Sequence, residues 1–320
     1  MSNTTASDKP TYLVEQVNAN YGFFLRVEPP VYQGRTQFQD IEVFDTPMFG
    51  RVLRLDNVFQ TSDRDEFFYH ENMCHVPAIA HPCPRRALVI GGGDGGAAEE
   101  LLKHSTMEQV VVAELDPGVV DAAKQYLGGI HRGVFDDLRL DMRIMDGKAY
   151  IETTQDRFDQ IVIDLTDASG PSLALYTREF YSACRRVLGA SGVLSLHVES
   201  PVAHPGTFNR IIKTLQAVFG IVRPYLVYVP TYGTLWGMAC ASDRVDPLAC
   251  SAVEVDTRIT ARGLHDLQYY NGDTHRAVFV QPNFVRALLE INVPPFTSED
   301  LVSSEVIPTE ERGKLVLKQT

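Results

Sequence analysis

The chain is short of basic residues: 29 Lys and Arg stand against 41 Asp and Glu among 320 residues, a formal charge of -12. Nucleic-acid binding needs a positive stripe that displaces phosphate counterions, so this balance argues against a nucleic-acid partner and suits cationic small molecules. Solubility alone accounts for the same charge equally well. Long hydrophobic runs are missing too. No apolar stretch nears the ~20 residues that span a bilayer, and the opening MSNTTASDKP has neither the basic nor the apolar region of a signal peptide. We therefore expect a cytoplasmic protein with no membrane partner. The five cysteines, at 74, 83, 184, 240 and 250, show no CxxC spacing, and their odd number excludes complete pairing within the chain. Reduced, structural thiols are the simplest reading. HENMCH begins like a zinc helix at His70, but its second histidine falls at 75, five residues on instead of four. No metal site is expected.

Hydrophobic residues are present at 44%, enough for a large core and two domains. Residues 11–65 carry β-rich pieces (FFLRVE, FQDIEVF, RVLRL, NVFQTS) between turn-like segments, which predicts a small antiparallel β unit. A helix over DEFFYHENMCHVPAIA follows, and HPCPRR sets a domain boundary near residue 84. From residue 85 to about 293 strands and helices alternate: ALVI, AAEELLKH, QVVVAEL, GVVDAAKQYL, LRLDMRI, GKAYIETT and FDQIVIDL, then YTREFYSACRRVL, GVLSLHV, PGTFNRIIKTLQAVF, VRPYLVYVP and LWGMACAS. That alternation is the signature of a parallel, helix-covered sheet, an α/β doubly wound domain, which RAVFV and PNFVRALLE close. Residues 294–320 read as a polar C-terminal extension.

ALVI runs directly into GGGDGGAAEE, where Gly91, Gly93 and Gly96 satisfy GxGxxG in a strand–turn–helix context. Small residues there let the chain turn and let a ligand approach the backbone at a helix N-terminus; a purely structural tight turn is the alternative. Glu114 ends the next strand, where an acid can grip a ribose diol through both oxygens. Asp94 sits badly with a pyrophosphate, because it adds negative charge to the turn, and fits a positively charged nucleoside better. Asp146 and Gly147 end another strand, suited to an adenine amino group or, for Asp146, to capping the next helix. Asp164 and Asp167 close a further strand and begin its loop. Such a carboxylate pair serves a hydrolase, a metal or an amine, or simply an Asx turn with a helix cap. No convincing Ser/His/Asp context or metal-ligand motif accompanies them.

FQDIEVF, DEFFYHE, ALVIGGGDGG, VAELD, MDG, DLTDASGP, LYTREFY, HVESP and YYNGDTHRAVF together make the chain resemble the spermidine synthase family of polyamine aminopropyltransferases over nearly its whole length. The resemblance implies a Rossmann-like S-adenosylmethionine-dependent transferase fold with a small N-terminal β domain, and decarboxylated S-adenosylmethionine as a consumed co-substrate with no bound cofactor. It implies donor-pocket roles for Gln39, His70, Asp94, Glu114, Asp146 and Gly147, and reaction-centre or amine-site roles for Tyr69, Asp164, Asp167 and Tyr232. The segment Asp164–Pro171 resembles the family's mobile gate.

On that reading an amine attacks the methylene carbon next to the sulfonium, with Asp164 as proton acceptor and Tyr69 aligning the nitrogen. Asp167, and Glu199 on the strand GVLSLHVES, would hold the distal ammonium; a loop hydrogen bond or helix cap is the alternative for Glu199, as ordinary packing is for Tyr69 and Tyr232. The chain departs from the family pattern in three places. Tyr12-Leu13-Val14-Glu15 replaces Trp-Phe-x-Glu, which changes the aromatic wall beside the acceptor. Asp164-Leu165-Thr166-Asp167-Ala168 replaces Asp-Ser-Ser-Asp-Pro, which removes a φ restraint, and His197 stands for glutamine. These changes bear on the acceptor: putrescine leads, with spermidine, cadaverine, agmatine or another polyamine as alternatives. A conventional methyltransferase and a noncatalytic polyamine-binding module are the competing classes. The β unit is expected to support a homodimer or homotetramer.

Overall fold

The computed structural model describes residues 10–168 and 170–303. Strands β1 (Thr11–Asn18) and β2 (Tyr21–Val27) form an antiparallel hairpin. Strands β3 (Pro30–Arg35), β4 (Asp40–Thr46), β5 (Gly50–Leu55) and β6 (Val58–Ser62) form an antiparallel sheet in chain order. Helix α1 (Glu66–Ala80) leads from this unit into the large sheet. Its packing runs mainly to α2 (Gly96–Leu102) and to two strands of that sheet, β11 (Leu188–His197) and β12 (Ile221–Val229). By those contacts α1 goes with the large sheet, whereas a boundary at residue 84 groups it with the β unit.

Seven strands make the large sheet, in the order β12-β13-β11-β10-β7-β8-β9. The others are β7 (Arg86–Gly91), β8 (Gln109–Glu114), β9 (Leu140–Ile144), β10 (Phe158–Asp164) and β13 (Thr234–Ser242). The chain first steps outward on one side of β7, through β8 to β9, and then returns to lay β10 on its other side. Open α/β sheets bind ligands at the carboxyl ends of strands where the order reverses in this way. The ends that meet there are Gly91, Glu114 and Asp164, with Asp164 directly opposite Gly91.

The central strands read as almost continuous hydrophobic runs because both faces are covered. Leu88, Ile90, Ile161, Ile163, Leu194 and Leu196 pack on one face, and Ala87, Val89, Val110, Val112 and Val162 on the other. The covering helices include α3 (Pro117–Tyr126), α4 (Gly128–His131), α5 (Gly147–Thr153), α6 (Arg178–Val187) and α7 (Pro205–Gln216). Helix α1 is buried almost all round although it carries several polar side chains, and most of these are paired: Glu71 accepts the N–H groups of Gln268, Tyr269 and Tyr270 at 2.7–2.9 Å, and His75 meets Glu100 at 2.9 Å.

Three sequence expectations change. Strand β13 runs antiparallel to both β11 and β12, because only a short turn joins β12 to β13 and a parallel step needs a longer crossover. RAVFV is not a strand; its first residues end the helix α9 (Gly272–Ala277), between α8 (Ala252–Ala261) and α10 (Asn283–Glu290). Residues 294–303 are not a detached polar tail: Phe296 is buried in the core, Arg210 lies 4.0 Å from its ring centroid, and Arg210 pairs with Asp300 at 2.6 Å. The rest of the expected extension, 304–320, lies outside the described residues. Among the described residues no helix is long and apolar enough to cross a membrane.

Candidate active site

The turn after β7 brings the three strand ends together. Gly91 and Gly92 have φ of +81° and +66°, a left-handed region that favours glycine. A Cβ on Gly91 would stand 2.1 Å from the Asp164 carbonyl oxygen, and that same oxygen accepts the Gly92 N–H at 2.9 Å. Gly93 and Gly96 matter for close approach instead: Glu114 packs against the first, and the His70 ring sits where a Cβ on the second would be, 2.3 Å from Cε1. The fingerprint thus marks the right turn, although its left-handed members are Gly91, Gly92 and Gly95.

Glu114 spans the turn, its Oε2 accepting the Gly93 N–H at 3.1 Å and its Oε1 the Asp116 N–H at 2.8 Å. Each oxygen keeps a second lone pair for a ribose hydroxyl. Burial pushes this carboxyl up to about 7, against the Asp116 and Gly93 amides. Gln39, carried in from the β unit, donates to Asp116 Oδ2 at 2.9 Å. Asp116 and Gln39 therefore form one edge of the site, and the sequence reading had found only the second. Asp146 caps α5 through the Lys148 N–H at 2.8 Å, while Gly147 lies against Ile90, which would meet a Cβ at 2.4 Å. These residues line a cleft of about 700 Å³, together with Tyr69, His70, Asp94, Asp164, Asp167 and Tyr232.

At the far side of the cleft the Tyr69 hydroxyl donates to Asp164 Oδ1 at 3.0 Å. Burial and then the neighbouring Asp94 push the Asp164 carboxyl up to about 6, against the opposing pull of His70 and the Tyr69 hydrogen bond. His70 Nδ1 lies 2.8 Å from Glu66 Oε2, and its Nε2 lies 3.8 Å from Asp94 Oδ2. Burial works against a charged imidazole, but Glu66 and then Asp94 outweigh it and raise His70 to about 10. Glu66, itself 2% exposed, also pairs with Arg132 at 2.6 Å. Sequence reasoning missed Glu66, although its place one turn before His70 was the available signal.

Ligand atoms of His70, Asp94 and Asp164 lie within 4.8 Å of one another, the one metal-like grouping among the described residues. His70 Nδ1 is taken up by Glu66, which leaves one ring nitrogen and two carboxylates at the cleft. Two carboxylates around a cavity suit an ammonium group better.

A second, smaller cavity of about 40 Å³ adjoins the first and shares Tyr69, Asp167 and Tyr232 with it. His197, His204 and Trp236 line its other side. Tyr232 donates to the Gln60 carbonyl at 2.7 Å and packs edge-on to Trp236, with centroids 5.0 Å apart. His197 stacks on Trp236 and its Nε2 meets the Tyr176 hydroxyl at 2.8 Å. Glu199 lines neither cavity: its Oε1 accepts the Ala168 N–H at 2.7 Å, and His204 Nδ1 lies 3.3 Å from its Oε2. In this arrangement Glu199 Oε1 is engaged by the loop amide rather than set on either cavity wall. Tyr12 is absent from both linings too, packing edge-on to Phe24 in the β1–β2 hairpin. The loop from Asp164 is described up to residue 168 and from 170 onward, so residue 169 of the expected gate lies outside the described residues.

The sheet order, the acid ending β8 and the acids at the end of β10 define a Rossmann-like S-adenosylmethionine-dependent transferase fold. Residues 66–247 match the spermine/spermidine synthase domain, and residues 12–63 match the spermidine synthase tetramerisation domain. The chain is 49% identical over 309 residues to the polyamine aminopropyltransferase of Nitrosomonas europaea, covering 97% of this chain and 95% of that one. With the polyamine aminopropyltransferase of Moorella thermoacetica it shares 41% identity over 267 residues, 83% of this chain and 92% of the other. A solved spermidine synthase in complex with the transition-state analogue AdoDATO superposes with a TM-score of 0.83 at 36% identity, over 89% of this chain and 98% of its own. The spermidine synthase from Thermotoga maritima gives 0.81 at 36% identity, over 89% and 97%. The chain belongs to the spermidine synthase family of polyamine aminopropyltransferases. It is a transferase of polyamine biosynthesis, and its match to a tetramerisation domain supports an oligomer.

Proposed function

We propose that the chain transfers the aminopropyl group of decarboxylated S-adenosylmethionine to putrescine, giving spermidine and 5'-methylthioadenosine. The observation that carries this reading is the Tyr69–Asp164 hydrogen bond of 3.0 Å where the larger and smaller cavities meet. The nucleoside occupies the larger cavity, its ribose hydroxyls on Glu114, its adenine beside Asp146 and Gly147, and Gln39 at the rim. Asp94 pairs with the donor's aminopropyl ammonium, a place where the carboxylate of ordinary S-adenosylmethionine meets like charge. The donor is consumed, so it is a co-substrate rather than a resident cofactor.

The attacking nitrogen lies by Tyr69 and gives its ammonium proton to Asp164. Its lone pair forms the new bond to the methylene carbon, and the carbon–sulfur bond breaks with its electron pair going to sulfur. Sulfur leaves as a neutral thioether, so no general acid is needed. An ordinary carboxylate is a weak base for an amine; one raised to about 6 is closer in basicity to its task. Alignment of nitrogen, carbon and sulfur in a partly desolvated cleft supplies the rest. Asp167 and Tyr232, which line both cavities, take the acceptor.

Initial rates with putrescine, cadaverine, spermidine and agmatine test the acceptor. One extra methylene in a fitted site changes kcat/KM by roughly 10–200-fold, so putrescine should lead cadaverine by at least about tenfold. Faster transfer to any of the other three contradicts the putrescine reading. The assembly belongs to the same proposal as a homodimer or homotetramer, which light scattering separates. A cytoplasmic location, supported by five unpaired cysteines, completes it.

A further inference from the structure

The loop that carries Asp167 is held in part by Glu199, which lines neither cavity. Ala168, the next residue, gives its N–H to Glu199 Oε1 at 2.7 Å. Glu199 is 3% exposed and has a φ of +69°, a strained backbone for a residue other than glycine, which places its side chain under the loop. Its carbonyl oxygen accepts the Gly237 N–H at 3.0 Å and would stand 2.5 Å from a Cβ there, so β13 holds this backbone in place. On the other carboxylate oxygen, His204 Nδ1 lies 3.3 Å away. The turn containing His204 is tied to β1, where Asn18 donates to the Ala203 carbonyl at 3.1 Å. Burial opposes the charge on Glu199, but His204, His197 and the Ala168 N–H outweigh it and hold this carboxyl below its ordinary range.

We propose that Glu199 is a positioning residue, which fixes Asp167 for the acceptor through the Ala168 N–H and is itself tied through the His204 turn to β1 of the N-terminal unit. The proposal rests on the reading that Asp167 faces the acceptor. Proline, which stands in the family pattern where this chain has Ala168, has no N–H to give, so the chain replaces a fixed φ with a charge-assisted hydrogen bond. The bond needs an acceptor oxygen on residue 199. It does not need a second charge for the substrate.

This distinction sets the test. Glu199→Ala should raise the acceptor KM at least about tenfold, equivalent to ~1.4 kcal/mol, with kcat and the affinity for 5'-methylthioadenosine nearly unchanged. Glu199→Gln keeps an acceptor oxygen and should restore most of the acceptor affinity. In an Ala168→Pro background the N–H is already gone, so adding Glu199→Ala should change the acceptor KM no further. Melting temperatures for each variant separate loss of positioning from loss of fold. Equal damage from Glu199→Gln and Glu199→Ala would make Glu199 a counter-charge for the amine and overturn the proposal. So would an equal effect of Glu199→Ala in both backgrounds, or an unchanged acceptor KM in a folded Glu199→Ala protein. Absence of aminopropyl transfer by the unaltered chain would instead refute the function proposed above, so the two failures are distinct.

Discussion

Asp164→Asn is the sharpest perturbation of the reaction centre. Asparagine keeps nearly the same size and a carbonyl oxygen where Tyr69 now donates at 3.0 Å, so the aromatic wall need not move. What disappears is the proton acceptor. Positioned general bases contribute roughly 10²–10⁴-fold, so kcat should fall by about that factor, ~2.7–5.5 kcal/mol of barrier. The affinity for 5'-methylthioadenosine should change less than about threefold, because that neutral ligand is held by Glu114 and the glycine turn rather than by the missing charge. The pH profile gives a second reading. A base works when deprotonated, and Asp164 is raised to about 6 in the free chain, so kcat/KM should fall about tenfold per pH unit below 6 and show no further rise from this group above it. Asp164→Asn should lose that acidic limb. Stopped assays of methylthioadenosine release from pH 5 to 9 measure both effects, alongside calorimetric binding of the same product. A kcat within about threefold of the unaltered chain, or an acid limb that survives the substitution, refutes Asp164 as the base.

Glu114, raised to about 7, must be ionised to accept two ribose hydroxyls strongly, so methylthioadenosine should bind more tightly as pH rises through 7. Glu114→Gln should weaken that binding about tenfold or more and flatten its pH dependence; an unchanged profile by calorimetry removes Glu114 from the ribose. Gly96→Ala places a methyl group 2.3 Å from His70 Cε1, and should cost about 1–3 kcal/mol of stability by overpacking as well as nucleoside affinity; an unchanged melting temperature contradicts it. Tyr12 and Phe24 are exposed, 49% and 65%, on the hairpin inside the tetramerisation-domain match. Phe24→Asp should shift the solution mass by light scattering toward smaller species, and an unaltered mass removes this hairpin face from the interface.

What the sequence made legible follows from periodicity and local chemistry. The strands β7, β8 and β10 could be read because burial on both faces makes them continuous apolar runs, and the turn after β7 because GxGxxG sat between a strand and a helix. Asp164 was legible as the end of such a run. The direction of β13 was not, since an antiparallel strand buried on both faces carries the same apolar pattern as a parallel one. Phe296 looked like one aromatic in a polar tail, and only Thr214 and Arg210, more than eighty residues earlier, reveal its burial. Glu199 was found with two readings open, an ammonium contact or a loop hydrogen bond, because a strand-end acid looks the same in either; its hydrogen bond from the Ala168 amide shows only in the fold. Glu66 was visible as a letter, but its pairing with His70 and Arg132 depends on α1 being buried among charged neighbours.

The central claim is aminopropyl transfer, and the identity of the products formed with each donor tests it most directly. The purified chain, given putrescine with either decarboxylated or ordinary S-adenosylmethionine, should yield spermidine and 5'-methylthioadenosine in equal amounts by mass spectrometry with the first donor alone. A methylated amine formed from ordinary S-adenosylmethionine, with no spermidine from the decarboxylated donor, would contradict the account.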